Sequence, residues 1–230
     1  MTSGPRTAAD AAPSAIHAVL ARERVLPVVV IEDAASAVPL AAALRAGGLS
    51  SIEITLRTAA AEAAIAALAA DTPLAGDSRL LVGAGTVLTR DQAARAIDAG
   101  AKFVVSPGVS SAVIGYCHDA GIPVFPGVAT PTDIQTALEL GCTVVKFFPA
   151  DVNGGLPAIK ALSAPFVGVQ FVPTGGITEA SLAEYLAHPA VLAVGGSWIV
   201  ARPLIAAQDW STITGLVTAA VAIASEVGSS

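Results

Sequence analysis

The chain has 230 residues, 54% of them hydrophobic and only 13% charged, with a formal net charge of −6. That balance excludes a disordered chain, and the absence of a basic tract excludes the positive footprint that nucleic-acid binding needs. The length suits one domain with a sizeable core, spanning 1–230.

Residues 1–12 read as an N-terminal extension without the apolar stretch of a signal peptide, and 13–24 as a leading helix. From there two textures alternate. Eight short runs rich in β-branched and apolar residues occur at 25–31, 51–55, 80–84, 102–105, 122–125, 143–148, 169–173 and 191–195. Between them lie Ala/Leu-rich segments of helical period, such as 35–46, 58–70, 89–99, 110–120 and 130–140. The junctions RAGGLSSIEI, DAGAKFVV, DAGIPVF and ELGCTVV each end a helix on glycine and begin a strand. Gly47, Gly100, Gly121 and Gly141 are therefore expected to be the left-handed residues that close those helices. Eight βα units on a chain of this length predict an α/β fold, a (β/α)8 TIM barrel with an extra N-terminal helix across its bottom. A doubly wound open sheet is the alternative, but no GxGxxG turn follows the first strand. The apolar tail, TITGLVTAAVAIASEVGSS, predicts a terminal helix. No window of about 20 residues escapes Gly, Pro or charge as a spanning helix requires, so no membrane is expected. Cys117 and Cys142 lack metal spacing and read as buried, reduced thiols of a cytoplasmic protein.

The run TVVKFF, residues 143–148, carries one cation into an apolar strand. Side chains alternate across a strand, so Val144, Lys146 and Phe148 share one face. The helix-facing layer has no room for a charge, which points Lys146 into the barrel near its top. A lysine amine in water titrates at about 10.4, and only its neutral form attacks a carbonyl; desolvation favours that form. Lys146 is thus a candidate Schiff-base nucleophile, the alternative being a structural lysine neutralised by a core carboxylate. In SIEITLRT, Ile52, Ile54 and Leu56 alternate with Glu53, Thr55 and Arg57. The polar set is expected to look into the barrel mouth, with Glu53 able to move protons and Arg57 able to clamp a carboxylate. Two glycine turns follow, PTGGIT and VGGSW. Gly175, Gly176, Gly195, Gly196 and Ser197 lie where such barrels often hold a phosphate, and a helix starting after Ser197 would add its positive end. Trp198 either lines this loop or only packs. Lys102 should sit at the barrel bottom and Lys160 on a solvated helix face. His17, His118 and His188 share no spacing, so no metal site is expected.

In order along the chain, IEITLRT, VGAGTVL, SPG, KFFPADVNGG, PTGGI and GGSW make residues 13–224 resemble the 2-keto-3-deoxy-6-phosphogluconate (KDPG)/4-hydroxy-2-oxoglutarate aldolases. The resemblance implies a class I aldolase that uses neither metal nor cofactor, forms its imine on Lys146 and moves protons with Glu53. It implies that Arg57 binds the substrate carboxylate, Thr86 and Pro107 line the pyruvate pocket, Phe148 packs beside the imine and Thr174 contacts substrate. The glycines and Ser197 of the last two motifs would hold the phosphate. The SPG motif favours the gluconate over the galactonate substrate. A homotrimer acting on small 2-keto acids is implied as well. An epimerase or decarboxylase using Lys146 as proton donor, or a silent phosphate sensor, are the competing readings. Lys146→Ala is expected to abolish cleavage and, because little apolar contact is lost, to spare the fold.

Overall fold

The computed structural model describes residues 14–71 and 80–228. The N-terminal extension at 1–12 and the first residue of the leading helix lie outside the described residues. The helix itself, α1, runs Ala15–Glu23 behind Ser14, whose hydroxyl accepts from the His17 N–H at 3.3 Å.

Strands and helices then alternate. The strands are β1 (Val25–Val29), β2 (Ser51–Thr55), β3 (Leu81–Gly85), β4 (Phe103–Val105), β5 (Val124–Phe125), β6 (Gly127–Val128), β7 (Val144–Phe147), β8 (Gln170–Pro173) and β9 (Val194–Gly196). The helices are α2 (Ala37–Ala46), α3 (Ala61–Ala70), α4 (Arg90–Asp98), α5 (Ser111–Asp119), α6 (Pro131–Glu139), α7 (Gly155–Ser163), α8 (Glu179–Leu186), α9 (Arg202–Ala206) and α10 (Trp210–Gly228). All strand pairings are parallel. Six strands form one sheet in the order β5-β4-β3-β2-β1-β9, and three form another in the order β6-β7-β8. The two meet in two places. Single bridges join Phe171 to Val191 and Thr174 to Gly195, and only Pro126 separates β5 from β6. Proline has no N–H to donate, so the ladder breaks there; its carbonyl still accepts from the Lys146 N–H at 2.9 Å. The architecture is a curled parallel sheet flanked by helices.

The curl sorts the apolar side chains into two layers. Ile52, Ile54, Val145, Phe147 and Phe171 face outward into the core under the helices. Leu26, Phe103, Val105, Phe125, Val144, Val172 and Leu192 face inward, and Ile16 and Leu20 of α1 join them. The leading helix therefore stops the lower end of the interior, as the sequence predicts. Long α10 is apolar enough by length and composition to cross a bilayer. Its buried residues Ile213, Val217, Ala220 and Ala224 recur on one face, and it packs on α2 and α8. Cys117 and Cys142 are free and buried, and burial pushes their thiols up to about 11 and about 12.

Gly100, Gly121 and Gly141 are left-handed, with φ of 109°, 67° and 81°. Gly47 is not. Its φ is −81°, and Gly48, at 103°, makes the turn instead. Gly47 is glycine for space: a Cβ there would lie 2.4 Å from Val217 Cγ1 of α10.

Candidate active site

β7 is buried along its whole length, so its alternation decides everything about Lys146. Val145 and Phe147 take the helix side and Val144 the inner side, which turns Lys146 inward. In register it stands between Gly127 of β6 and Val172 of β8. Its Nζ lies 3.4 Å from Glu53 Oε1 and 5.1 Å from the centre of the Phe148 ring. Lys146 is 6% exposed and Glu53 1%, so each charge has exchanged water for the other.

The remaining residues singled out from sequence gather on the rim where the strands end. Leu56 N–H donates to the Gly85 carbonyl at 2.8 Å, so the segments carrying Arg57 and Thr86 leave β2 and β3 side by side. Arg57 itself is exposed. Val87 N–H reaches the Val105 carbonyl at 3.1 Å, which ties the Thr86 turn to the strand leading into Pro107. The Pro107 carbonyl oxygen lies 2.2 Å from where a Cβ on Gly127 would be, so that glycine admits the turn. Half-buried Phe148 follows β7 directly. Thr174, 7% exposed, donates its N–H to the Phe147 carbonyl at 3.0 Å and bridges to Gly195. That bridge sets the two glycine turns side by side. Gly175 and Gly176 have φ of 99° and 73°, so both need glycine. The segment after Ser197 is a three-residue 3₁₀ turn, Trp198–Val200, and not the helix start expected; α9 begins only at Arg202. The Trp198 ring lies against Gly196, where a Cβ would come within 2.5 Å of it.

The sequence reading missed two features of this rim. The Asp151 carboxylate crowds Gly176, 2.2 Å from where a Cβ would sit. Its place in PADVNGG, just past the strand, was the available signal. Thr86 has φ of +52°, a left-handed conformation that costs a β-branched residue about 1–3 kcal/mol. Nothing in GAGT announces it. Thr86→Gly is accordingly expected to melt higher than Thr86→Ala by the equivalent of about 1 kcal/mol, although glycine is normally the more destabilising of the two. Thermal unfolding of the pair checks this. Lys102 is exposed and precedes β4 at its lower end, Lys160 is exposed on α7, and Asp133 closes a capping box with Thr130 on α6. Among the described residues no three His, Cys, Asp or Glu side chains are grouped to hold a metal.

A buried amine beside a carboxylate at the upper end of a parallel α/β sheet is equipment that carbonyl chemistry can use. The model of the KDPG and KHG aldolase family matches residues 16–216. The chain is 51% identical over 201 residues to the 2-dehydro-3-deoxy-phosphogluconate aldolase of Treponema pallidum, covering 87% of this chain and 93% of the relative. It is 42% identical over 205 residues to the KHG/KDPG aldolase of Escherichia coli, covering 89% and 94%. Among solved structures, the KDPG aldolase of Legionella pneumophila superposes with a TM-score of 0.84 at 42% identity, over 90% of this chain and 98% of that one. That protein was captured with pyruvate at low pH as a covalent carbinolamine intermediate. The chain belongs to the KDPG and KHG aldolase family, and the enzyme is a carbon–carbon lyase.

Proposed function

We propose that this enzyme is a class I aldolase that cleaves 2-dehydro-3-deoxy-6-phosphogluconate to pyruvate and glyceraldehyde 3-phosphate. The same machinery would split 4-hydroxy-2-oxoglutarate to pyruvate and glyoxylate. The observation that carries the reading is the 3.4 Å approach of Lys146 Nζ to Glu53 Oε1 inside the curl. A proton passed from the ammonium to the carboxylate leaves a neutral amine and a carboxylic acid, the two species that speed carbinolamine formation. The Lys146 amine adds to the C2 carbonyl, and loss of water, its departure assisted by the Glu53 acid, gives the protonated imine. The Glu53 carboxylate then takes the C4 hydroxyl proton. The C3–C4 bonding pair moves onto the imine as an enamine, and glyceraldehyde 3-phosphate leaves. The enamine takes a proton back at C3, and water releases pyruvate from Lys146. One carboxylate serves throughout because its proton returns in each cycle.

In this reading Arg57 clamps the C1 carboxylate, and Thr86, Pro107 and Phe148 line the pyruvate end. Thr174 meets the substrate between the ends. The turns at Gly175, Gly176, Gly195, Gly196 and Ser197 receive the phosphate through backbone N–H groups. The adjacency of those turns across the Thr174–Gly195 bridge supports the last assignment. The finer architecture belongs to the same reading: the two sheets are one (β/α)8 barrel in a single domain, with β5 and β6 a fifth strand interrupted at Pro126. The single bridges between β8 and the β9 segment support it. A homotrimer rests on the family resemblance, and a cytoplasmic location on the two free, buried cysteines.

Borohydride reduction in the presence of pyruvate tests the proposal. The expected product is a reduced pyruvyl adduct on Lys146, located by peptide mass spectrometry. An unmodified Lys146 in an enzyme that still turns over would favour an epimerase or decarboxylase, and no pyruvate release from either substrate would favour a sensor.

A further inference from the structure

The inward face of β3 carries almost no side chains. Alternation gives Leu81, Gly83 and Gly85 to that face, and of the three only Leu81 adds bulk, packing on the inner cluster. The strip above it is filled by neighbours leaning in from both sides. At the lower level Phe103 of β4 lies across Gly83, where a Cβ would fall 2.2 Å from the ring. Phe103 is fully buried and packs against Phe125, ring centres 6.0 Å apart. At the upper level Glu53 of β2 lies across Gly85. A Cβ there would fall 1.7 Å from Glu53 Oε1, 2.4 Å from its Cδ and 2.6 Å from its Cγ. Contacts to a real Cβ essentially never come below 3.0 Å, so no rotation of the carboxylate alone makes room; the side chain from Cγ outward would have to leave. Gly85 has no left-handed φ, so backbone freedom is not why glycine stands here. Space is.

We propose that Gly85 is a positioning residue for catalysis: the bare upper face of β3 is the seat on which the Glu53 carboxylate lies in order to reach Lys146. The seat accounts for two facts together. Glu53 is 1% exposed although it belongs to the strand next to β3, and its Oε1 still reaches 3.4 Å from an amine carried by β7 in the other sheet. Phe103 forms the step below, so the carboxylate cannot drop deeper to avoid an added methyl group. The inference rests on the acid–base part assigned to Glu53 above.

The test is Gly85→Ala, measured alongside wild type and Glu53→Gln. In Gly85→Ala, kcat for 2-dehydro-3-deoxy-6-phosphogluconate should fall about 100-fold or more, while borohydride still traps pyruvate on Lys146. Adding Gly85→Ala to Glu53→Gln should cost less than about 3-fold further, because both changes disable one function. A Gly85→Ala enzyme with kcat within about 3-fold of wild type overturns the proposal. If Gly85→Ala loses trapping as well, or folds poorly, thermal unfolding decides. Truncation in Glu53→Ala empties the space, so Glu53→Ala/Gly85→Ala should melt close to Glu53→Ala, whereas Gly85→Ala alone melts well below wild type. Equal losses in both backgrounds would mean that something other than Glu53 occupies the seat. Should wild type fail to trap pyruvate, the functional reading falls, and this stability comparison still tests the seat.

Discussion

Lys146→Ala is expected to lose pyruvate trapping entirely and to lower cleavage by a factor on the order of 10⁵–10⁶, the scale found when an enzymic nucleophile is removed. The sequence alone also led us to expect an undisturbed fold, because an amine contributes little apolar contact. The structure changes that expectation. Lys146 is the salt-bridge partner of Glu53, and both are buried. Removing one member of such a pair leaves the other charge uncompensated, at a cost of about 3–5 kcal/mol. For a chain of this size that corresponds to a melting point lower by on the order of 10 °C. Lys146→Ala/Glu53→Gln removes both charges and should recover much of the loss while staying inactive. An unchanged melting point in the single variant would mean that water reaches Glu53 and pairs with it in place of the amine.

Glu53→Gln separates imine formation from bond cleavage. The amide has the outline of the carboxylate, so it lies over Gly85 as before and its oxygen still accepts from Lys146. It cannot take a proton from the C4 hydroxyl. Trapping of pyruvate should persist but more slowly, because the amine must shed its proton to solvent and the water leaves without the Glu53 acid, and kcat should drop about 10²–10⁴-fold, the usual contribution of a placed acid–base group. A variant that turns over like wild type would transfer the proton-moving part to another group or to solvent.

The inward direction of Lys146 and Glu53 was legible because strand alternation is a local rule: one apolar neighbour on each side fixes which face remains. The bottom plug was legible for the same reason, since a helix ahead of the first strand has only one open end to cover. What escaped were features set between distant segments. Gly47 must be glycine because Val217 of α10, some 170 positions away, takes the space beside it, while the positive φ falls on Gly48. Both glycines sit in the same RAGGL. After the run read as 122–125 a further strand, β6, forms beyond Pro126 because β7 offers a ladder there, and a proline in a sequence reads as a stop. In the sequence the glycines of GAG carry no sign of their part. Their work is steric, inside a strand, and only the positions of Glu53 and Phe103 reveal it.

Ile16 and Leu20 of α1 join the inner cluster from below, which gives the interior a floor. Under the proposed reaction the substrate therefore comes and goes over the rim. The aldehyde half walks out that way before water follows in to free the half tethered to the lysine, and in the synthetic direction the tethered ketone is seated before its aldehyde guest arrives.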